Sequence, residues 1–347
     1  VDRRFDFPGR AATTRIVVGP GVRTRLPELL RTLGASDVVV VHDTALAGLA
    51  AGLAAPLAAR TLAVPAGEAA KDLRHVADAA EQLRRLGADR GTTLLGLGGG
   101  ALTDFAGFLA AVWLRGVRFV ACPTTTLAMS DAAIGGKNGV DLGGRKNELG
   151  AIRQPDLVVA DIDWLSTLPD ARWREGFVEA IKMAAVLDAA AFARLGALLL
   201  RLAARDAAAA TTAIELAVAM KMAVVAVDEH ERDLRRWLNF GHTIGHALES
   251  AADGALRHGE CVAIGMLAEC RAAGAPAVVT AAIEQALGAL GAPTRCPPQF
   301  ADPERLWRFA AMDKKARSGE VPMIVPFELG SGRLVPLTRD ALARALS

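Results

Sequence analysis

His242 and His246 stand four residues apart, so their imidazoles share one face of any helix that carries them, and His258 follows in the segment His258-Gly259-Glu260. Glu179 and Lys182, three apart on an earlier helical stretch, also share a face. A divalent ion held by Glu179 and two of the histidines would keep coordination positions open for a substrate oxygen, as catalytic rather than structural zinc sites do. Spacing does not choose which two histidines ligate. Thr243 follows His242 where a zinc protease motif would carry its glutamate, so that chemistry is not indicated.

A second constellation suits anions. Gly96-Leu97-Gly98-Gly99-Gly100-Ala101 follows a strand-like run and opens a helical segment with Asp104 in its first turn. Glycines there let a diphosphate approach backbone N–H groups at a helix N-terminus. Asp43 and the segment Gly67-Glu68-Ala69-Ala70-Lys71 follow other strand-like runs and would reach the same carboxyl edge of a sheet. Asp131, Lys137, Lys146 and Asn147 crowd a glycine-rich stretch, where glycine removes bulk and lysine supplies a mobile charge. Lys221, Arg235, Lys314 and Lys315 add cations in the second half. Any one of these is ordinarily a solvated surface charge. Together they suit a multiply anionic small molecule.

The elements that must position these groups divide the chain in two. Apolar, β-branched runs at 38–41, 92–97 and 117–121 end in turn residues and alternate with helical-period segments such as 72–86, whose Leu73, Val76, Ala80 and Leu83 recur at helical spacing. That is the pattern of a mostly parallel sheet covered on both faces, and it predicts an α/β nucleotide-binding domain over 1–165. Beyond Leu168-Pro169 the strand signal nearly vanishes, and Ala/Leu-rich patterns over 176–187, 207–227 and 258–273 predict an all-α metal- and substrate-binding domain over 166–347.

Composition narrows the class. The 347 residues, 52% hydrophobic and 22% charged, exclude a disordered, collagen-like or coiled-coil chain. Forty Lys and Arg against 38 Asp and Glu are interspersed, which argues against a nucleic-acid partner. Cys122, Cys261, Cys270 and Cys296 lack CxxC spacing and read as reduced thiols of a cytoplasmic protein. No charge-free apolar stretch reaches about 18 residues, so no membrane insertion is expected.

From about Asp43 to Lys315 the chain resembles the 3-dehydroquinate synthases of the sugar phosphate cyclase superfamily. The similarity is carried by the run Gly98 to Phe108, Arg115-Gly116-Val117, Pro123-Thr124-Thr125, Asp131 through Lys137, Lys146-Asn147, Glu179-Ala180-Ile181-Lys182, the run Leu234 to His246, His258-Gly259-Glu260 and Asp313-Lys314-Lys315. The resemblance implies a phosphate-eliminating lyase of the shikimate pathway that binds NAD and zinc or cobalt. It would convert 3-deoxy-arabino-heptulosonate 7-phosphate, a phosphorylated seven-carbon keto sugar acid, to 3-dehydroquinate and phosphate, and would work as a cytoplasmic homodimer. It also implies Glu179, His242 and His258 as metal ligands. NAD contacts would come from Asp43, Gly67, Glu68, Lys71, Gly99, Gly100, Asp104, Thr124, Thr125, Lys137, Lys146, Trp164, Leu165 and Thr167. The substrate carboxylate would meet Lys221, Arg235 and Lys314 or Lys315. Its phosphate would meet Lys137, Asn147, His246 and Arg115, the last from a neighbouring subunit. Asp131, Asn239, His246 and Lys182 would orient groups and shuttle protons, with Lys137 serving the departing phosphate.

The chain departs from the common family pattern at Ala132-Ala133, at Asn138 and over Asp141 to Arg145, positions expected to line the cofactor and phosphate loop. The Gly-Gly-Arg-Lys-Asn stretch is similar to relatives that cyclise sedoheptulose 7-phosphate to valiolone-type products, and an aminodehydroquinate synthase would keep the same residues. A different class, an NAD- and metal-dependent polyol dehydrogenase, shares the expected fold but needs no phosphate cradle.

Overall fold

The computed structural model describes residues 1–7, 13–143, 145–312 and 320–346, so Lys314 and Lys315 lie outside the described residues. The chain separates into two compact units, Val1–Leu168 and Pro169–Ser347.

In the first unit β1 (Asp2–Asp6) and β2 (Thr13–Gly19) lead into α1 (Leu26–Thr32), β3 (Asp37–Asp43), α2 (Ala47–Ala54), β4 (Arg60–Val64), α3 (Leu73–Arg85) and β5 (Thr92–Gly98). Then come α4 (Gly100–Val112), β6 (Arg118–Pro123), the hairpin β7 (Lys137–Leu142) and β8 (Arg145–Ile152), and β9 (Leu157–Asp161). Seven strands form one sheet in the order β1-β2-β9-β6-β5-β3-β4, parallel throughout except for β1. Every residue of β5 and β9 is buried, as apolar runs covered on both faces require. From β3 the chain steps outward to β4 and then returns to β5 on the other side, so the strand order reverses between β3 and β5. Open α/β sheets bind ligands beside the carboxyl ends of the strands at such a reversal. α3 begins where the Asp72 carboxylate accepts the Arg74 N–H at 2.9 Å, and it buries Val76, Ala79 and Leu83.

Asn138 corrects one expectation. Its amide donates to the Gly136 and Arg153 carbonyls, each at 2.9 Å, and its Oδ1 stands where a Cβ on Gly107 of α4 would come within 1.9 Å. The departure at Asn138 therefore ties the start of β7 to α4 within the packing rather than lining a cofactor loop.

The second unit runs through α5 (Asp170–Leu187), α6 (Ala189–Gly196), α7 (Leu199–Ala203), α8 (Ala207–Val227), α9 (His242–Ala252), α10 (His258–Ala273), α11 (Ala277–Leu290), α12 (Pro303–Met312), β10 (Val321–Glu328), β11 (Ser331–Leu337) and α13 (Arg339–Leu346). It is mostly helical, but β10 and β11 form an antiparallel hairpin that the periodicity did not reveal. Prolines interrupt both strands, with Pro322 paired to Pro336. Proline cannot donate to a ladder and is tolerated where strand edges stay open, so the sequence reads as a non-strand although the pairing forms. α8 is long and apolar enough to span a membrane by length and composition alone, yet it carries Glu215 and Lys221 and packs against α5 as an interior helix.

The contact between α9 and α10 is made by backbone. A Cβ on Gly265 of α10 would lie 2.1 Å from the Gly241 carbonyl oxygen and 2.8 Å from the Gly245 nitrogen. Gly241, at φ +77°, turns the chain into α9 in a conformation that disfavours any side chain.

Candidate functional site

Glu179, in the third turn of α5, is fully buried, and Lys182 one turn later places Nζ 2.5 Å from its Oε2. Its other oxygen faces the starts of α9 and α10. His242 Nε2 lies 3.8 Å and His258 Nε2 3.1 Å from Glu179 Oε1. One ligand atom from each of Glu179, His242 and His258 falls within 4.8 Å of the others, close enough for a single ion. His242 begins α9 and His258 begins α10, so the glycine seam between those helices sets the separation of the two rings at 5.4 Å. His246, one turn beyond His242, holds its ring 4.9 Å away and is exposed.

The charges are arranged to keep a dry carboxylate ionised. Burial opposes ionisation of Glu179, but the Lys182 ammonium and the two histidines draw its pKa well below the usual carboxylate range. Burial and the same ammonium hold His242 neutral. Burial also disfavours charge on His258, yet its hydrogen bonds to Glu179 and Glu249 win and raise it to about 10. His258 thus binds its proton more tightly folded than unfolded, so the stability it contributes is complete below about pH 6.5 and is lost as pH rises towards about 10. Thermal melts of chelator-treated protein should therefore fall across that window, and a His258→Asn variant should lack that component of the slope. Ligation requires the neutral ring, so metal affinity should climb over the same range.

Two acidic groups here escaped the sequence reading. Glu249 Oε2 meets His258 Nδ1 at 3.0 Å, and a signal was available, because 242, 246 and 249 recur on one face of α9. Glu269, fully buried on α10, accepts the Gly241 and Ile244 N–H groups at 2.7 and 3.0 Å and so caps α9 from its neighbour. Its burial pushes the carboxyl up to about 8. Nothing in the sequence around Glu269 distinguishes it from a surface acid.

Two of the cations assigned to a carboxylate are buried too. Lys221 lies within α8 and is 6% exposed, while Arg235 is 2% exposed in the helical turn Leu234–Asn239. The Arg235 guanidinium donates to the Glu229 carbonyl at 2.5 Å and its backbone N–H to Asp228 Oδ2 at 3.0 Å. Asn239 ends the same turn and donates to Glu231 Oε1 at 2.5 Å.

In the first unit Asp43, Lys71, Gly99, Gly100, Asp104 and Thr124 follow the carboxyl ends of strands, whereas Arg115 precedes β6 and lies towards the amino edge. Asp43 ends β3, where its carboxylate accepts the Ala45 N–H at 2.7 Å and the Gly67 N–H at 3.1 Å, tying the β3 and β4 loops together. Lys71 is 3% exposed and donates to Asp104 Oδ2 at 2.8 Å and Asn147 Oδ1 at 2.5 Å, with Glu68 at 3.9 Å. Gly99 caps α4, and a Cβ there or on Gly100 would come within 3.3 Å of Thr125 Cγ2 or 3.1 Å of Ala132 Cβ respectively. The Thr124 N–H donates to the Gly98 carbonyl at 2.8 Å, joining the β5 and β6 ends. Trp164 and Leu165 are buried and Thr167 exposed in the turn Ile162–Thr167 after β9, and Trp164 Nε1 has no hydrogen-bond partner among the described residues. Lys137 opens β7 and Lys146 lies near the start of β8, both exposed, while Asp131 is half-buried in the turn Ala128–Ala132. Leu114, Arg115 and Gly116 take φ of +48°, +70° and +119° in succession, a strained turn that leaves Arg115 exposed.

Residues 61–175 match the family of 3-dehydroquinate synthase N-terminal domains, and residues 176–316 match the C-terminal domains. A 3-dehydroquinate synthase of Xylella fastidiosa is 37% identical over 95% of this chain and 94% of its own length. Among solved structures, a 2-deoxy-scyllo-inosose synthase complexed with carbaglucose-6-phosphate, NAD+ and Co2+ aligns over 100% of this chain and 99% of that one, at TM-score 0.88 and 25% identity. The 2-epi-5-epi-valiolone synthase of Streptomyces hygroscopicus, with NAD+ and Zn2+ bound, aligns over 99% and 98% at TM-score 0.84 and 27% identity.

Proposed function

The chain belongs to the 3-dehydroquinate synthase family, and from that premise we propose that it converts 3-deoxy-arabino-heptulosonate 7-phosphate to 3-dehydroquinate and phosphate with NAD and a divalent zinc or cobalt ion. The observation that carries the reading is the convergence of Glu179, His242 and His258 beside Lys182. The donor set fits a borderline-soft ion: two imidazoles and one fully buried carboxylate, whose Oε2 meets the Lys182 ammonium while Oε1 faces both rings. The β3–β5 edge fits a dinucleotide, with a glycine cradle at the start of α4 that side chains would fill.

When bound, NAD supplies an oxidation reversed within each turnover and the divalent ion supplies Lewis acidity. The chain does the rest. Lys182, in contact with Glu179 Oε2, favours the anionic carboxylate and orients groups around it. Lys137, Asn147 and His246, with Arg115 of a neighbouring subunit in a cytoplasmic homodimer, grip the phosphate that must leave. His246 gives or takes a proton at an imidazole nitrogen, and Asp131 and Asn239 orient the ring as it opens and closes. Lys221 and Arg235, together with Lys314 or Lys315, hold the substrate carboxylate.

Arg235 argues for a carboxylated substrate over sedoheptulose 7-phosphate, because a buried planar guanidinium is a geometric match to a carboxylate. Arg235→Ala should raise KM and lower kcat for the heptulosonate phosphate, with kcat/KM down on the order of 100-fold, because the dry site then offers the carboxylate no charge-assisted donor at that position. Unaltered constants would remove the carboxylate assignment. The reaction itself is tested by incubating the protein with NAD, Zn2+ or Co2+ and the heptulosonate phosphate. Phosphate release matched to product without net NADH supports the reading, whereas accumulating NADH, or turnover only with sedoheptulose 7-phosphate, overturns it.

A further inference from the structure

We infer that Glu249 is a positioning residue that fixes His258 as a metal ligand, an assignment that rests on the metal reading above. His258 is the first residue of α10 and its ring lies between two carboxylates, Nε2 at 3.1 Å from Glu179 Oε1 and Nδ1 at 3.0 Å from Glu249 Oε2. Glu249 sits on α9, one turn beyond His246 and two beyond His242, so the helix that supplies one ligand also orients another.

The proton count gives the role. A neutral imidazole has one N–H and one lone pair, and a carboxylate can only accept. In the neutral ring that ligation requires, Glu249 accepting at Nδ1 keeps the one hydrogen there, so it is Nε2 that gives up its proton and turns a lone pair into the space shared with Glu179 and His242. The same hydrogen bond fixes the rotation of the ring and raises the basicity of Nε2. Without it, either tautomer becomes available and the ring of a residue at a helix start gains freedom. Glu249 also belongs to a second close group, with His246 and His258, whose ligand atoms lie within 4.8 Å of one another. A rival role follows from that group, in which Glu249 ligates the ion itself.

The test uses the full chain and Co2+ as probe, read by its visible absorption and by competition with a chromogenic chelator. Glu249→Ala should weaken Co2+ binding about 10- to 100-fold. Glu249→Gln keeps an acceptor oxygen for Nδ1–H and should recover most of that loss, with a Co2+ spectrum like that of the unaltered protein. Binding within about threefold of normal in Glu249→Ala overturns the proposal, as does a Gln variant as weak as the Ala variant, the result for a direct ligand. Glu179→Ala, run in parallel, separates the two readings. If it too leaves Co2+ affinity unchanged, the metal site itself is wrong; if it alone loses binding, only the role of Glu249 fails. Should Glu249→Ala not fold, Glu249→Asp shortens the reach to His258 and should show the same loss.

Discussion

Replacing Glu179 with glutamine is expected to lower turnover on the order of 100- to 1000-fold and to strip the protein of tightly held Zn2+ or Co2+. Lewis-acid stabilisation contributes several kcal/mol, and each 1.4 kcal/mol is about a factor of ten. Glutamine keeps the volume but offers a neutral oxygen where an anion faced two imidazoles. It also leaves the Lys182 ammonium, 1% exposed, without its counter-charge. Breaking one side of a buried ion pair costs about 3–5 kcal/mol, because the remaining charge cannot reach water. Stability should therefore fall with activity, and adding Lys182→Met should restore much of the melting temperature while restoring no turnover. Metal content, melts and phosphate release on the two variants check this. A Glu179→Gln protein with normal metal content and normal rate would refute the site.

The second large effect is expected at a residue that has no side chain. Gly265→Ala adds one methyl carbon where the nearest atoms are the Gly241 carbonyl oxygen at 2.1 Å and the Gly245 nitrogen at 2.8 Å. Both are backbone, so no rotamer can yield and α9 must move as a body. Overpacking of this kind costs about 1–3 kcal/mol or more. The displacement also carries His242 and His246 relative to His258, and a misplacement of about 1 Å can cost about 100-fold in rate. Reduced melting temperature together with weaker Co2+ binding is the expected result. A variant that melts and binds normally would mean that the helices part here without moving the histidines.

These two sites mark how far the sequence could be read. The parallel sheet was legible because strands buried on both faces must be apolar along their whole length, as in Val38 to Val41. Glu179 with Lys182 and His242 with His246 were legible as helical spacings, while the ligand set with His258 followed only from the family resemblance; the structure brings these side chains together. The β10–β11 hairpin was not, because its prolines hide the alternation. Asn138 looked like a loop residue beside glycines, and only the close approach of Gly107 reveals it as a strut. Glu269 is the clearest limit. Its importance lies in which backbone N–H groups a neighbouring helix leaves open, and no local pattern encodes that.

The near-complete enclosure of Lys71 has a consequence for how the sheet edge meets an anion. Its ammonium has already shed most of its water during folding, in exchange for Asp104 and Asn147. On the expectation that Lys71 serves a phosphate, an oxygen that replaces the Asn147 amide oxygen asks little further dehydration of the ammonium, and the anion's own dehydration is the larger cost. Mobile counterions are excluded from the same spot, whereas Lys137 and Lys146 stand in the open electrolyte. Ionic strength thus acts unevenly along this edge, damping the long-range pull of the outer lysines and leaving the inner one nearly untouched.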